Sequence, residues 1–284
     1  MKDYYIKFTL NKTMLSFYVS RYVTDLYTFE LVFSVCILII CLFNYFIRKD
    51  KYPLYVFSAT TLFHSILELI AQGSGTRTVE PTHLFGIIEV GYPFIPIIIG
   101  LFEGGMVGLC GLLLMRAVIY KDKFSLKFFL IIIGLLLLFE ILGVIIVKGI
   151  LTTDPGSLEI TRRHLFSEGS IILLIIMYSI AIIGILPWKN VPRKNKFGLL
   201  YYYIGIVAIS LVMIIPLHVA GTRFIEYFDG VNYIKVNIML QILIMYGYDA
   251  LVEAAGFFMA YYVLFYYLKW LKPAKIDKQN QKQP

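Results

Sequence analysis

The chain has 284 residues, of which 59% are hydrophobic, 16% aromatic and only 15% charged. Soluble domains carry about 25% charged residues, and a fold of this length cannot bury so much apolar surface, so lipid must solvate part of it. The formal net charge of +8 does not point to nucleic acid, because the basic residues sit in short loops rather than in one patch.

Residues 1–27 read as an extracytoplasmic tail. Met14, Leu15, Tyr18, Val19, Tyr22, Val23 and Leu26 recur at helical spacing, with polar residues between them. That pattern predicts an amphipathic helix lying in the membrane interface. Asn11-Lys12-Thr13 is a formal glycosylation sequon. A cleaved signal peptide is not expected, since the first long apolar run begins near Tyr27 and no small-residue cleavage site follows it.

Seven apolar stretches then follow, over 28–47, 53–72, 84–119, 127–148, 168–187, 197–222 and 236–268. Each is long enough for the roughly 20 helical residues that cross about 30 Å of hydrocarbon. The fold class is therefore all-α and polytopic, a seven-helix bundle over 28–271 in a cell membrane if the host is prokaryotic. The third stretch is too long for one simple span and holds Pro93 and Pro96. Proline removes a backbone donor and clashes with the preceding turn, so 84–93 reads as a lead-in or half-helix before a span over 94–119. Splitting the stretch into two spans would give eight and put the C-terminus outside. Residues 272–284 form a basic cytoplasmic tail, expected to be disordered.

Loop charge chooses between these counts. Under seven spans with the N-terminus outside, the cytoplasmic segments hold 15 basic residues, the outer loops 6 and the N-terminal tail 4. This is the positive-inside bias, and Trp188 and Trp270 fall at cytoplasmic ends as interfacial anchors. Cys36, Cys41 and Cys110 all lie in apolar runs and read as small core residues, not disulfides or metal ligands.

One internal echo suggests a 3+1+3 repeat. Gly75-Thr76-Arg77 follows span 2 and Gly221-Thr222-Arg223 follows span 6, and the next span carries an acid at the same offset, Glu103 and Asp249. Parallel repeats occur in small transporters.

Charged groups are costly in lipid and usually face the bundle interior or a water-filled cavity. Span 2 carries Thr60, His64, Glu68 and Gln72 at four-residue steps, which places them on one helix face. Span 7 carries Asn237, Gln241, Asp249 and Glu253 in the same rhythm, with Met245 in the gap. Glu103, Glu140 and His218 add to these from spans 3, 4 and 6. Together they predict a cavity lined by spans 2, 3, 4, 6 and 7 and open to the outside. It would bind a solute or cation through His64, Glu68, Gln72, Glu103, Glu140, His218, Gln241, Asp249 and Glu253. No Lys or Arg is expected at the depth of the five deepest carboxylates. Such acids must hold protons, bind a cation or be hydrated, which argues against an anionic substrate.

Structural readings stand beside these. Any single acid reads more readily as a protonated strut between helices than as a catalytic group, and His64 reads equally as a satisfied core histidine. His164 and Glu168 read as a solvated helix start. Gly100, Gly104 and Gly108 read as a close-packing face.

Three functions follow. The first is a transporter or carrier for protons, cations or a cationic or neutral small solute. The second is an intramembrane acid/base enzyme, isomerase- or hydrolase-like, acting on a lipophilic neutral substrate. There His64 and Glu68 would work with Glu103 or Asp249. Phe63-His64-Ser65-Ile66-Leu67-Glu68 resembles the His-x3-Glu helix of the emopamil-binding sterol isomerases, over this helix and the Glu-then-Pro start of the next, and no function is carried over from it. The third is a seven-helix receptor or sensor, without the mid-membrane lysine in span 7 that retinal needs. No spacing matches a known zinc motif, and no cofactor is identified. The expected partners are the bilayer and a small solute or lipophilic substrate.

Overall fold

The computed structural model describes residues 16–23, 26–74, 77–78, 82–153 and 159–273. The sequon at Asn11 and most of the C-terminal tail lie outside these residues. Among these described residues seven helices are long and apolar enough to cross a membrane: 27–47, 52–73, 94–119, 123–153, 168–185, 193–219 and 238–267. Helices suit such residues because they satisfy every backbone polar group within one segment, as lipid demands.

Spans 1 and 2 are α1 (Leu26–Ile47) and α2 (Tyr52–Gly73). Span 3 is one continuous helix from Phe94, so the eight-span count does not arise. It runs through α3 (Phe94–Ile99), a π-helical stretch Gly100–Met106, and α4 (Val107–Ile119). Spans 4, 5 and 6 are α5 (Lys123–Thr153), α6 (Glu168–Ile185) and α7 (Arg193–Val219). Span 7 repeats the construction of span 3, with α8 (Ile238–Ile242), a π-helical stretch Leu243–Ala254 and α9 (Ala255–Tyr267).

Two expectations are corrected. Ser16–Val23 is not an interfacial helix but a strand, β1. Its aromatic and β-branched residues suit a pleated surface, and partners far along the chain pair it on both edges. The lead-in at 84–93 is not a half-helix. It holds the turn and second strand of a short hairpin made by β3 (Thr82–Leu84) and β4 (Ile88–Val90).

β1 belongs to a five-stranded antiparallel sheet with β2 (Arg77–Thr78), β5 (Glu159–His164), β6 (Arg223–Phe228) and β7 (Tyr233–Lys235), in the order β2-β5-β1-β6-β7. Its strands come from the segment before span 1 and from the 2–3, 4–5 and 6–7 connections. The sheet therefore covers one end of the bundle, here called the sheet end.

Register decides which residues share a face of that sheet. Arg21 of β1 lies opposite Arg223 of β6, and Arg163 of β5 lies opposite Arg77 of β2. Val19 is opposite both Arg163 and Ile225. Side chains directly opposite one another share a face, so all four arginines point the same way, into the bundle. On the other face Ser20 donates to Glu226 at 2.5 Å, and Arg162 bridges the same carboxylate at 3.0 Å.

The far end is closed differently. Arg116 of span 3 is fully buried and bonds Asp50 at 2.9 Å and the carbonyls of Trp270, Leu271 and Lys272 at 2.8–3.0 Å. It ties the 1–2 loop to the end of span 7.

Candidate functional site: a charged cavity under the sheet

A cavity of about 350 Å³ lies between the sheet and the bundle, at the small end of the roughly 300–1,000 Å³ range of ligand sites. His64 and Glu68 enter it from span 2, Glu103 from span 3, and Asp249 and Glu253 from span 7. Four-residue spacing accounts for each pair on its helix. Arg21, Arg77, Arg163 and Arg223 meet them from the sheet.

The pairing is specific. Arg77 Nη1 lies 2.5 Å from Glu68 Oε1, and its Nη2 lies 3.7 Å from Glu103 Oε1. Arg163 holds Asp249 at 2.6 Å through Nη2 and bonds Glu253 through Nη1. Arg223 takes the other oxygen of Asp249 at 2.7 Å. Arg21 lies 3.6 Å from Glu140. Burial works against the charge of Arg77, but Glu68 and Glu103 outweigh it and hold the guanidinium above its ordinary pKa. Glu253 and Asp249 do the same for Arg163.

These contacts overturn the expectation that no basic residue reaches the deep acids. In sequence Arg21, Arg77, Arg163 and Arg223 lie outside the spans, and the sheet carries them inward. The signal was present in the matching Gly-Thr-Arg triplets, since Arg77 and Arg223 each pair with the acid of the following span.

Among the described residues the acids nevertheless outnumber the arginines. Glu30, Glu68, Glu103, Glu140, Asp249 and Glu253 are six carboxylates against four guanidiniums, with Arg162 committed to Glu226. Glu30 Oε2, Glu68 Oε2 and Glu253 Oε2 are buried with no hydrogen-bond partner. His64 is 7% exposed, and neither ring nitrogen is hydrogen-bonded. Its Nε2 sits 3.5 Å from Glu103 and 3.8 Å from Glu68, with the ring stacked on Phe258 at 5.4 Å.

Gly104 permits this arrangement. A Cβ there would fall 2.5 Å from His64 Cβ, so only glycine lets span 3 approach span 2 closely enough to set Glu103 beside the imidazole. Gly100 and Gly108 pack likewise against Ser65 and Thr60.

The remaining expected site residues lie elsewhere. Glu140 lines a smaller cavity between spans 1, 3, 4 and 6. His218 stands edge-on to Tyr246 at 5.4 Å. Gln241 donates to the carbonyl of Val236 at 2.8 Å, and Asn237 caps the start of span 7 through Leu240 N–H. Gln72 does not line the cavity, although its Nε2 is buried without a partner. The glutamine and asparagine of the span 7 stripe therefore serve the helix start, not the cavity.

His64, Glu68 and Glu103 each present a ligand atom within 4.8 Å of the others. Arg77 bonds Glu68 Oε1, which leaves Oε2 as the open ligand atom of that carboxylate. No protein-family model, no curated protein and no solved structure matches the chain.

Proposed function

We propose that the chain is a membrane carrier built from two three-span repeats, which binds protons together with a small cationic or neutral solute in the cavity under the sheet. The observation that carries this reading is the surplus of carboxylates. Six carboxylates, five of them buried, stand against four arginines, and an unmatched charge in low dielectric costs several kcal/mol. The surplus is removed by protons or by a cationic ligand, the exchange a proton-coupled carrier uses.

The repeat rests on register and offset together. One offset of 146 residues carries Arg77 onto Arg223 and Glu103 onto Asp249. Reversing the strand order β2-β5-β1-β6 exchanges β5 with β1 and β2 with β6. A two-fold axis between β5 and β1 that exchanges Arg77 with Arg223 also exchanges Arg163 with Arg21, given their registers. Glu103 and Asp249 both lie in π-helical stretches, which mark functional sites in helices. Span 4 is then the connecting helix. The basic bias places the far end in the cytoplasm and the sheet outside.

The test is uptake of a panel of radiolabelled small amines and neutral solutes into proteoliposomes, with and without an imposed proton gradient. At least one solute accumulates with the gradient, and the Glu103→Gln/Asp249→Asn double variant abolishes it. Uptake that the double variant leaves unchanged would falsify the site. The enzyme reading is favoured by one observation, the unbonded imidazole of His64 between two carboxylates. Turnover of a lipophilic substrate lost in His64→Gln, without solute accumulation, would select it.

A further inference from the structure

We infer that the cavity takes the ammonium head of an amphipathic amine, whose apolar tail leaves sideways between spans 2 and 5 into the bilayer. This deepens the two-repeat carrier reading and rests on it.

Span 4 packs against spans 1, 3 and 6: Phe139 meets Phe29 and Phe33 of span 1, and the small cavity it borders is also lined by Phe102 of span 3 and Leu217 of span 6. Its Glu140 reaches Arg21. Span 4 thus fills the groove bounded by spans 1, 3 and 6. The two-fold axis carries those spans onto 5, 7 and 2. The groove they bound holds the charged cavity, and among the described residues no helix fills it.

The lining shows where this groove leads. On the span 2 side it includes Ile70, which is 62% exposed, and Ala71 one residue on. On the span 5 side it includes Gly169, Ser170 and Leu173, of which Gly169 is exposed. Below lie Phe257 and Phe258 of span 7. The cavity therefore has a charged roof, an apolar floor and a side that reaches residues at the lipid surface. A compact polar solute would leave the apolar part unfilled; an amphipath fills both.

Charge sets the sign of the head. Arg21 is engaged by Glu140 and Arg162 by Glu226. Arg77, Arg163 and Arg223 then face Glu30, Glu68, Glu103, Asp249 and Glu253 in the same cavity. A carboxylate or phosphate head would add to a net negative site, whereas an ammonium reduces it and can donate to the unbonded oxygens of Glu30, Glu68 and Glu253.

The probe is a long-chain alkylamine bearing a diazirine in its tail, photo-crosslinked to the full chain in lipid nanodiscs and mapped by mass spectrometry. The expected result is labelling of span 2 near Ile70 and span 5 near Leu173, displaced by unlabelled dodecylamine but not by dodecanoate. Ala71→Trp, which fills the opening, lowers this displaceable labelling at least about tenfold, while Leu138→Trp on the lipid face of span 4 leaves it unchanged. Labelling that no amine displaces, or that dodecanoate displaces equally, overturns the inference. Displaceable labelling without any transport would sink the carrier reading and leave the amine site standing.

Discussion

Both ends of the bundle bury arginine, and they do so in opposite ways. At the far end one guanidinium meets one carboxylate and three carbonyls, and nothing is left over. At the sheet end four guanidiniums meet six carboxylates, and several oxygens and an imidazole remain unbonded. A balanced buried charge is a fastening, since its groups gain nothing by binding anything else. An unbalanced one retains a capacity to bind. The same residue types thus serve structure at one end and, in our account, ligand binding at the other.

The largest effect that would sharpen this contrast is at Arg116. Arg116→Leu leaves Asp50 charged and three carbonyls orphaned, and should cost about 3–5 kcal/mol, read as a large fall in unfolding temperature in detergent. Breaking the arginine side of the sheet end should cost less. Arg163 is a quarter exposed, so water replaces some of its contacts, and Arg163→Gln should cost about 1–3 kcal/mol. Equal losses at Arg116 and Arg163 would erase the distinction.

The span 2–span 3 contact offers a steric test. Gly104→Val drives a branched side chain into His64 and should cost about 1–3 kcal/mol, with loss of any ligand-induced stabilisation. The smallest effect is expected where the account says charge is in surplus. Glu253→Gln keeps an acceptor for Arg163 and removes an excess negative charge, so stability should change by less than about 1 kcal/mol. Asp50→Asn, which removes the carboxylate bonded to Arg116, should cost more. The reverse ranking would contradict the comparison.

Much of this was legible in the residues. Four-residue spacing marked His64, Glu68, Asp249 and Glu253 as inward-facing, and the apolar runs marked the spans. The sheet was not legible, for a physical reason. Tyr18, Val19, Tyr22 and Val23 satisfy a helical period as well as a strand, and what decides is pairing with partners as distant as Glu226, 206 residues from Ser20. Short strands in loops leave no periodic signal long enough to read. Without the strands their arginines read as loop charge, and the acids read as unpartnered. The triplets ending in Arg77 and Arg223 were the one visible trace of that arrangement.

The most direct measurement is infrared spectroscopy of carboxyl groups in lipid-reconstituted protein at neutral pH. The account predicts protonated-carboxyl bands at neutral pH that weaken on adding a binding solute, that diminish in Glu30→Gln or Glu253→Gln, and that are untouched by Asp50→Asn. A spectrum with every carboxyl ionised, unchanged across those variants, would contradict the claim that the sheet end holds more acid than its arginines can match.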